Sequence, residues 1–349
     1  MKSRESRKLD HIRYALCIGD GPCASGFSDV HLLHHCLSGI CRDEVELTCF
    51  LPGLPALTHP IIINAITGGA DSVAKINESL AVVARETGST MAVGSQFGAV
   101  RTGFHRDSYT IVRKCNPKGL IFANLSAFAS VEQGKAAVDM ICADALQIHL
   151  NPAQELAMEE GDRDFSKCLS HIEAMVQGVG VPVIVKETGC GMAQKEAQAL
   201  LDVGVTVLDI GGAGGTNFPA IEHQRYPEGN EELAEWGIPT VISLLSVVEA
   251  AGWGNGVIAS GGIRSALDVV KAQVLGASAV AMAGNLLQKL QQEGIEETIH
   301  FLRQLLKKVR DFYTLLGCRT YQDLQEAQFY LTGETAQAVS WLRKHDQNE

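Results

Sequence analysis

Eight short runs of β-branched and small apolar residues, spread between residues 61 and 284, limit what this chain can fold into. The segments between them, such as residues 192–204, repeat apolar residues at three- and four-residue steps, which predicts amphipathic helices. Continuous apolar strands that alternate with helices require a parallel sheet covered on both faces. Eight even units favour a closed α/β barrel of the (β/α)8 TIM type over a doubly wound sheet. The predicted strands are residues 61–69, 90–96, 120–126, 145–151, 181–187, 205–212, 256–262 and 277–284.

The barrel core is predicted to span residues 60–285 of a single domain that runs over residues 1–349. Residues 1–59 are expected to form an extension before the barrel, and residues 286–349 a helical segment after it. One connection, at residues 217–240, is too long and too polar for a simple turn. It predicts a loop or lid over the mouth of the barrel.

The charge balance argues against large anionic partners. The 29 basic and 40 acidic residues give a formal charge of −11, which disfavours binding to nucleic acid and to anionic membranes. No apolar stretch reaches the roughly 18 to 20 residues that span a bilayer, and no signal-peptide core follows the N-terminal charges, so a cytoplasmic location is expected. The ten cysteines show no C-x-x-C spacing, which indicates reduced, mostly structural thiols.

Polar residues gather where the predicted strands end, which is where barrel enzymes build their active sites. The run ALQIHLNPAQE places His149, Asn151, Gln154 and Glu155 at the end of one strand. For His149 the alternative is a satisfied histidine with a structural role. The glycine-rich runs ASGGIR and AMAGN follow the last two strands, where barrels commonly bind phosphate through backbone amides. The alternative is that these glycines only make tight turns.

A small phosphate alone would not need the other polar side chains at the strand ends. Ser95, Asn124 and Thr216 can match the donors and acceptors on the edge of a planar ring, and Lys186 can place positive charge near an electron-rich heteroatom. Flavin mononucleotide (FMN) fits this description. The alternative for Lys186 is a structural ion pair with a carboxylate such as Glu187.

Several motifs together closely resemble the type 2 isopentenyl diphosphate isomerases, over about residues 5 to 310. These enzymes are FMN-dependent (β/α)8 barrels that interconvert isopentenyl diphosphate and dimethylallyl diphosphate. HLNPAQE together with the RK-x-x-H start is the most specific part of the resemblance. The motifs are RKLDH, ITGG, GSQ, HLNPAQE, VKETGCGM, GGAGGTNF, EWGIPT and SGGIR.

The resemblance implies a role for each matching residue. Arg7, Lys8 and His11 are expected to hold the substrate diphosphate, as an arm whose alternative is a solvated chain end. Glu155 is expected to bind Mg²⁺, and Gln154 to contact the isoprenoid near the flavin, with His149 and Asn151 pointing into the mouth. The expected FMN contacts are Ile66, Thr67, Gly68, Ser95, Asn124, Lys186, Gly211, Thr216, Gly261, Gly262, Ala283 and Gly284.

The implied reaction adds a proton at one carbon and removes one at another, with no net oxidation. Neither Gln154 nor His11 has a suitable pKa for protonating an unactivated alkene, so an ordinary side-chain acid is inadequate. Following the family, we expect FMN reduced by NADPH to act as acid and base. The resemblance also implies a homo-oligomer, a tetramer or an octamer.

Some positions depart from the family pattern, and two other functions compete. Phe97 stands where the family often has an arginine that could grip diphosphate, and Arg101 is a nearby basic residue. Gly211 stands where a serine is common. An FMN-dependent 2-hydroxyacid oxidase would need a histidine and an arginine near the sixth and seventh strands, where GGAGGTNF offers neither. A non-catalytic flavin-binding barrel would not need both Gln154 and Glu155.

Overall fold

A computed structural model of the chain describes residues 4–345, with side chains described for residues 10–344. Eight parallel strands close into a barrel, in which each strand pairs with the next and the last pairs with the first. At the closing seam, Ile61 lies opposite Val280 and Ile63 opposite Met282. The predicted TIM barrel is therefore confirmed. Its strands are β2 (Ile61–Ile63), β3 (Thr90–Ala92), β4 (Ile121–Ser126), β5 (Ala145–Leu150), β6 (Val183–Glu187), β7 (Val207–Asp209), β8 (Val257–Ser260) and β9 (Ala279–Met282).

Most of these strands are shorter than predicted at their carboxyl ends. β2 ends at Ile63 and β7 at Asp209, although the predicted runs continue to residues 69 and 212. Beyond these points the chain has backbone φ values of 82° at Gly69 and 52° at Gly211, which cannot continue a strand. The glycine-rich ends therefore leave the ladder and form the rim of the barrel.

Helices cover the outside of the barrel, and their ends carry standard signals. Ser130 and Ser265 cap α5 (Val131–Ile141) and α11 (Ala266–Val274) by accepting hydrogen bonds from the main-chain amides of Gln133 (3.3 Å) and Asp268 (3.1 Å). The helices are α1 (Arg4–Cys17), α2 (Ala74–Thr87), α3 (Phe97–Thr102), α4 (Asp107–Cys115), α5 (Val131–Ile141), α6 (Pro152–Ala157), α7 (Cys168–Gly178), α8 (Gln194–Asp202), α9 (Phe218–Arg225), α10 (Thr240–Ala251), α11 (Ala266–Val274), α12 (Gly284–Leu316, kinked at Gly294) and α13 (Gly333–His345).

The long connection after β7 is more ordered than a loop. Residues 217–240 contain α9 and a short 3-10 helix, Glu231–Glu235. Asn217 caps α9, because its side-chain oxygen accepts a hydrogen bond from the amide of Ala220 at 3.0 Å, and Pro219 lies in the first turn. The sequence Asn217-x-Pro219 is a signal for a helix start, but the polar composition of the whole segment favoured a loop prediction.

The regions outside the barrel pair with each other. β1 (Val30–Leu32) forms an antiparallel two-stranded sheet with β10 (Phe329–Leu331). The segment after the barrel is helical in α12 and α13, and it also contains β10, which the sequence analysis does not predict. Within residues 10–344 the ten cysteines form no disulfide. Among the described helices, none is both long and apolar enough to cross a membrane.

His59, just before β2, gives the stability of the barrel a pH dependence. The ring is buried, with Nε2 3.1 Å from the carbonyl of Thr87 and Nδ1 accepting a hydrogen bond from the amide of Ile61 at 3.2 Å. Burial lowers the pKa of His59 to about 4, whereas the pKa of a histidine in the unfolded chain is about 6.5. The neutral ring therefore contributes stability that is fully present above about pH 6.5 and is lost as the pH falls towards 4.

We expect the free energy of unfolding to fall by about 3 kcal/mol between pH 7 and pH 4 through this group. Denaturant titration of wild type and His59→Gln across that range measures the contribution, since glutamine does not titrate. His34→Gln, at an exposed histidine, is the control and should keep the full wild-type dependence. A His59→Gln curve parallel to wild type would contradict the assignment.

Candidate active site

A cavity of about 320 Å³ opens at the carboxyl ends of the barrel strands. Residues at the carboxyl end of every barrel strand, or just after it, line the cavity, from Ile66 beyond β2 to Gly284 beyond β9. This is the position at which TIM barrels build active sites, and the volume is within the range of small-molecule sites. His11, on α1, closes one side of the cavity.

Most of the residues predicted for the site meet at this cavity. Thr67 and Gly68 lie between two lining residues, Ile66 and Gly69, while Glu155 is set back from the wall. The side chains of Arg7 and Lys8 lie outside the described residues. The predicted residues that line the cavity are His11, Ile66, Ser95, Asn124, His149, Asn151, Gln154, Lys186, Gly211, Thr216, Gly261, Gly262, Ala283 and Gly284.

Tyr109, a residue that sequence analysis missed, holds the loop of Thr67 and Gly68. Its phenol donates to the carbonyl of Ser95 at 2.5 Å, and its ring packs so closely on Gly68 that any Cβ there would overlap it. The neighbouring Ser108 accepts a hydrogen bond from the amide of Gly69 at 2.9 Å. The only sequence signal was the position of this tyrosine shortly after the GSQ motif, on α4.

Thr67 lies beside the cavity wall, between the lining residues Ile66 and Gly69. Its hydroxyl is buried and has no hydrogen-bond partner among the described residues. The hydroxyl of Thr188, a lining residue that the sequence analysis also missed, is in the same situation. Buried polar groups are nearly always paired, so both hydroxyls call for a partner that the chain does not supply. Together with Asn124 and Lys186, which line the cavity, this donor and acceptor set fits the polar edges of FMN.

Gly68→Ala is expected to weaken FMN binding by about 10- to 100-fold, because the new methyl group must displace Tyr109 and the loop that it holds. Fluorescence titration of the apoprotein with FMN gives the dissociation constant. Gly19→Ala is the matched control, since a Cβ at this exposed position meets no atom within 4 Å. Equal FMN affinity in the two variants would contradict this account of the loop.

The glycine-rich rim after β7 and β8 is packed backbone against backbone. Gly261 has φ +105°, and a Cβ on it would overlap the carbonyl of Gly212. In ASGGIR, Gly261 therefore makes a tight turn, and it also lines the cavity, where its backbone can face an anion. Arg264, which also lines the cavity here, forms an ion pair with Asp20 and donates to the carbonyl of Gly214 at 3.4 Å.

Lys186 is not tied to the carboxylate of Glu187. Its ammonium group donates to the main-chain carbonyl of Glu187 at 2.7 Å and lines the cavity. The carboxylate instead accepts from the amides of Cys190 (2.6 Å) and Gly191 (2.9 Å). Burial raises the pKa of Glu187 to about 7, against the lowering effect of these hydrogen bonds and of Lys186. A structural ion pair between the two side chains is therefore not what the structure contains.

The segment after β5 joins its polar residues directly. Pro152 starts α6 at once, which brings Asn151 within reach of the first turn. The side-chain Nδ2 of Asn151 donates to Gln154 Oε1 at 3.1 Å and to Glu155 Oε1 at 2.9 Å. The other oxygen of Glu155 accepts from the amide of Asp162 at 2.9 Å. Glu155 is thus held in one orientation by two donors.

A buried carboxylate that sequence analysis missed connects this segment with the N-terminal helix. Glu222, on α9, is fully buried, and its Oε1 lies 2.8 Å from Gln154 Nε2 and 2.7 Å from His11 Nε2. Arg225, one turn later, pairs with the other oxygen. Burial acts to raise the pKa of Glu222, but His11, Gln154 and Arg225 outweigh it and hold that pKa below its usual range. The residue was hidden in a segment that its composition marks as a loop.

The metal chemistry available to the described residues is limited. No group of three or more histidine, cysteine, aspartate or glutamate side chains within residues 10–344 is arranged to hold a metal ion. A single carboxylate such as Glu155 is enough for Mg²⁺, because this ion commonly takes one or two carboxylates and completes its shell with phosphate oxygens and water.

Comparison with known proteins separates fold from family. Residues 131–331 match the family model described as FMN-dependent dehydrogenase. Solved structures of mandelate oxidase superpose with a TM-score of 0.67 at 18% identity and cover 92% of this chain and 96% of theirs, a likeness that concerns the fold alone. Much nearer in sequence are proteins named isopentenyl-diphosphate delta-isomerase. The one from Geobacillus sp. is 45% identical and covers 95% of both chains. Those from Bacillus licheniformis (44%) and Staphylococcus haemolyticus (42%) each cover 98% of this chain and 96% of the relative.

Proposed function

The chain belongs to the family of isopentenyl-diphosphate delta-isomerases, and on this premise we propose that it interconverts isopentenyl diphosphate and dimethylallyl diphosphate with reduced FMN and Mg²⁺. The observation that carries the proposal is the identity of 45% to an isomerase over 95% of both chains. Its cavity supports the same function, because it combines a site suited to FMN with a polar cluster at His11, Gln154 and Glu222.

The residues around the cavity divide into two groups in this proposal. Ser95, Asn124 and Lys186 would hold the flavin ring, and the backbone at Gly261 and Gly284 would receive its phosphate. Bound reduced FMN would supply the proton donor and acceptor for the isomerisation. Apolar side chains such as Phe97, Met158 and Phe218 line the same cavity and would exclude water from the isoprenoid.

The second group would bind and orient the substrate. Arg7, Lys8 and His11 are proposed to hold the diphosphate from α1, with Mg²⁺ between it and Glu155. Gln154 would contact the reacting carbons, and its amide orientation is set because Nε2 donates to Glu222 while Oε1 accepts from Asn151. His149 lines the cavity beside them. Phe97 lines the wall where a further cation is common in the family, and the Arg101 guanidinium lies 5.4 Å from the centre of its ring.

Two finer proposals rest mainly on the resemblance. NADPH is proposed as the reductant of the flavin. The chain is also proposed to form a homo-oligomer, and exposed aromatic side chains outside the barrel support this, among them Tyr330 on β10 and Trp341 on α13.

The arginines near the sixth and seventh barrel strands bear on the oxidase alternative. Arg225 is engaged by Glu222 and Glu160, and Arg264 by Asp20 and main-chain carbonyls. Both positive charges are therefore already balanced by carboxylates of the chain. This favours the isomerase over an enzyme that must hold a substrate carboxylate with arginine.

Anaerobic mixing of the oxidised FMN-bound protein with lactate, glycolate or mandelate tests this choice. An isomerase leaves the flavin absorbance unchanged, and the same sample converts isopentenyl diphosphate once it is reduced and given Mg²⁺. Rapid bleaching by a 2-hydroxyacid without isomerisation would overturn the proposal in favour of an oxidase. A flavin inert in both assays would indicate a non-catalytic barrel.

A further inference from the structure

A chain of hydrogen-bonded side chains runs through the barrel interior to His149. Asn64 Nδ2 donates to Asp209 Oδ2 at 2.8 Å, and Gln147 Nε2 donates to Asn64 Oδ1 at 3.1 Å. Asn124 Nδ2 donates to Gln147 Oε1 at 2.8 Å. His149 Nδ1 lies 2.9 Å from Asn124 Oδ1, which ends the chain at the cavity wall.

The position of these residues removes them from competition with water. Asp209, Gln147, Asn124 and Asn64 are all buried, although they come from four different barrel strands or strand ends. Gln147 and His149 are two residues apart on β5, so both point to the same side of the strand. If one of these buried side-chain amides were turned round, nitrogen would face nitrogen or oxygen would face oxygen, and the lost hydrogen bond would cost about 1–3 kcal/mol. The orientation of each amide is therefore set by its neighbour.

Two independent groups fix the direction of the chain at its far end. The carboxylate of Asp209 accepts from Asn64, and the hydroxyl of Ser260 donates to its other oxygen. The amide of Ala65, which can only donate, bonds Asn64 Oδ1 at 2.9 Å. Both groups require the same orientation of the Asn64 side chain, with its oxygen turned towards Gln147.

The direction then propagates to the histidine without a free choice. Because the oxygen of Asn64 faces Gln147, Gln147 must donate there and present its own oxygen to Asn124. Asn124 must in turn donate to Gln147, which leaves its Oδ1 for His149. An oxygen acceptor at this position requires a proton on His149 Nδ1.

We propose that Asp209 is a positioning residue which, through Asn64, Gln147 and Asn124, holds His149 as the Nδ1–H tautomer. Nε2 then carries the lone pair of the neutral ring. It can accept a proton or a hydrogen bond, and it can donate to a phosphate oxygen only as an imidazolium. The tautomer follows from the chain alone, whereas its effect on turnover rests on the proposed isomerase function.

The test is the nitrogen spectrum of the FMN-bound protein labelled with ¹⁵N-histidine, with the His149 signals assigned by their loss in His149→Asn. In the neutral ring we expect Nδ1 to show the ¹⁵N chemical shift of a protonated nitrogen and Nε2 that of an unprotonated nitrogen. The opposite pattern in wild type would overturn the proposal. This result does not depend on isomerase activity, so it is separate from a failure of the proposed function.

Variants test whether the chain imposes the tautomer. Gln147→Leu removes the central link, and we expect both tautomers to appear and kcat to fall at least about tenfold while FMN affinity stays within about twofold. Gln273→Leu is the matched control. Gln273 is an equally buried amide that accepts a hydrogen bond from Tyr313 and takes no part in the series of hydrogen bonds from Asp209 to His149, so this variant should keep the wild-type His149 spectrum. Asp209→Asn is a second, nearly isosteric variant, expected to mix the tautomers to a smaller extent. Wild-type His149 spectra in FMN-bound Gln147→Leu and Asp209→Asn would overturn the proposal.

Discussion

Glu222→Gln is expected to lower kcat for isomerisation by about a hundredfold, with little change in FMN affinity. The substitution keeps the shape of the side chain but removes the charge that His11, Gln154 and Arg225 share. Losing charge-assisted hydrogen bonds in this buried position costs about 3 kcal/mol, and a similar loss of Gln154 positioning in the transition state lowers kcat by about a hundredfold. Steady-state kinetics with saturating isopentenyl diphosphate and Mg²⁺ measures the effect.

Glu196→Gln, at an exposed glutamate on α8, is the control for this variant and should turn over like wild type. FMN titration of Glu222→Gln shows whether the barrel rim remains intact. If a variant with normal FMN binding also kept the wild-type kcat, the buried cluster would have no part in positioning Gln154.

Glu155→Gln is expected to raise the Mg²⁺ concentration for half-maximal activity by about 10- to 100-fold. Glutamine keeps the size and shape of the side chain but lacks the negative charge that a hard cation such as Mg²⁺ prefers. Activity measured against Mg²⁺ concentration tests this, and excess Mg²⁺ should recover part of the rate. Glu159→Gln, at an exposed neighbour, should leave the Mg²⁺ dependence unchanged. An identical dependence in Glu155→Gln would remove this residue from the proposed metal site.

The fold could be predicted because its signal is local. Residues such as Ile61–Ile63 and Val183–Glu187 form parallel strands covered on both faces, so their apolar character is continuous and easily recognised. β1 and β10 could not be found in this way, since they are not buried along their length and stand outside the strand–helix repeat, about 300 residues apart in the sequence. Their pairing depends on the tertiary fold.

The candidate site could be predicted where its residues follow a strand. His149, Asn151 and Gln154 could be predicted because TIM barrels place their active sites at the carboxyl ends of the strands, and these residues lie at the end of β5. Glu222 and Tyr109 were missed because each acts from a helix against a residue of another element, Glu222 on Gln154 and Tyr109 on Gly68. Such contacts leave no spacing pattern.

The most direct test of the account is isomerisation by one FMN-bound sample in its two flavin states. With Mg²⁺ present, proton NMR follows the methyl signals of dimethylallyl diphosphate while absorbance follows the flavin. We predict turnover when the flavin is reduced, with the flavin still reduced after many cycles, and no turnover once the same sample is reoxidised. Equal conversion by the oxidised sample, or oxidation of one flavin for each product formed, would contradict an isomerase that works with reduced FMN and no net electron transfer.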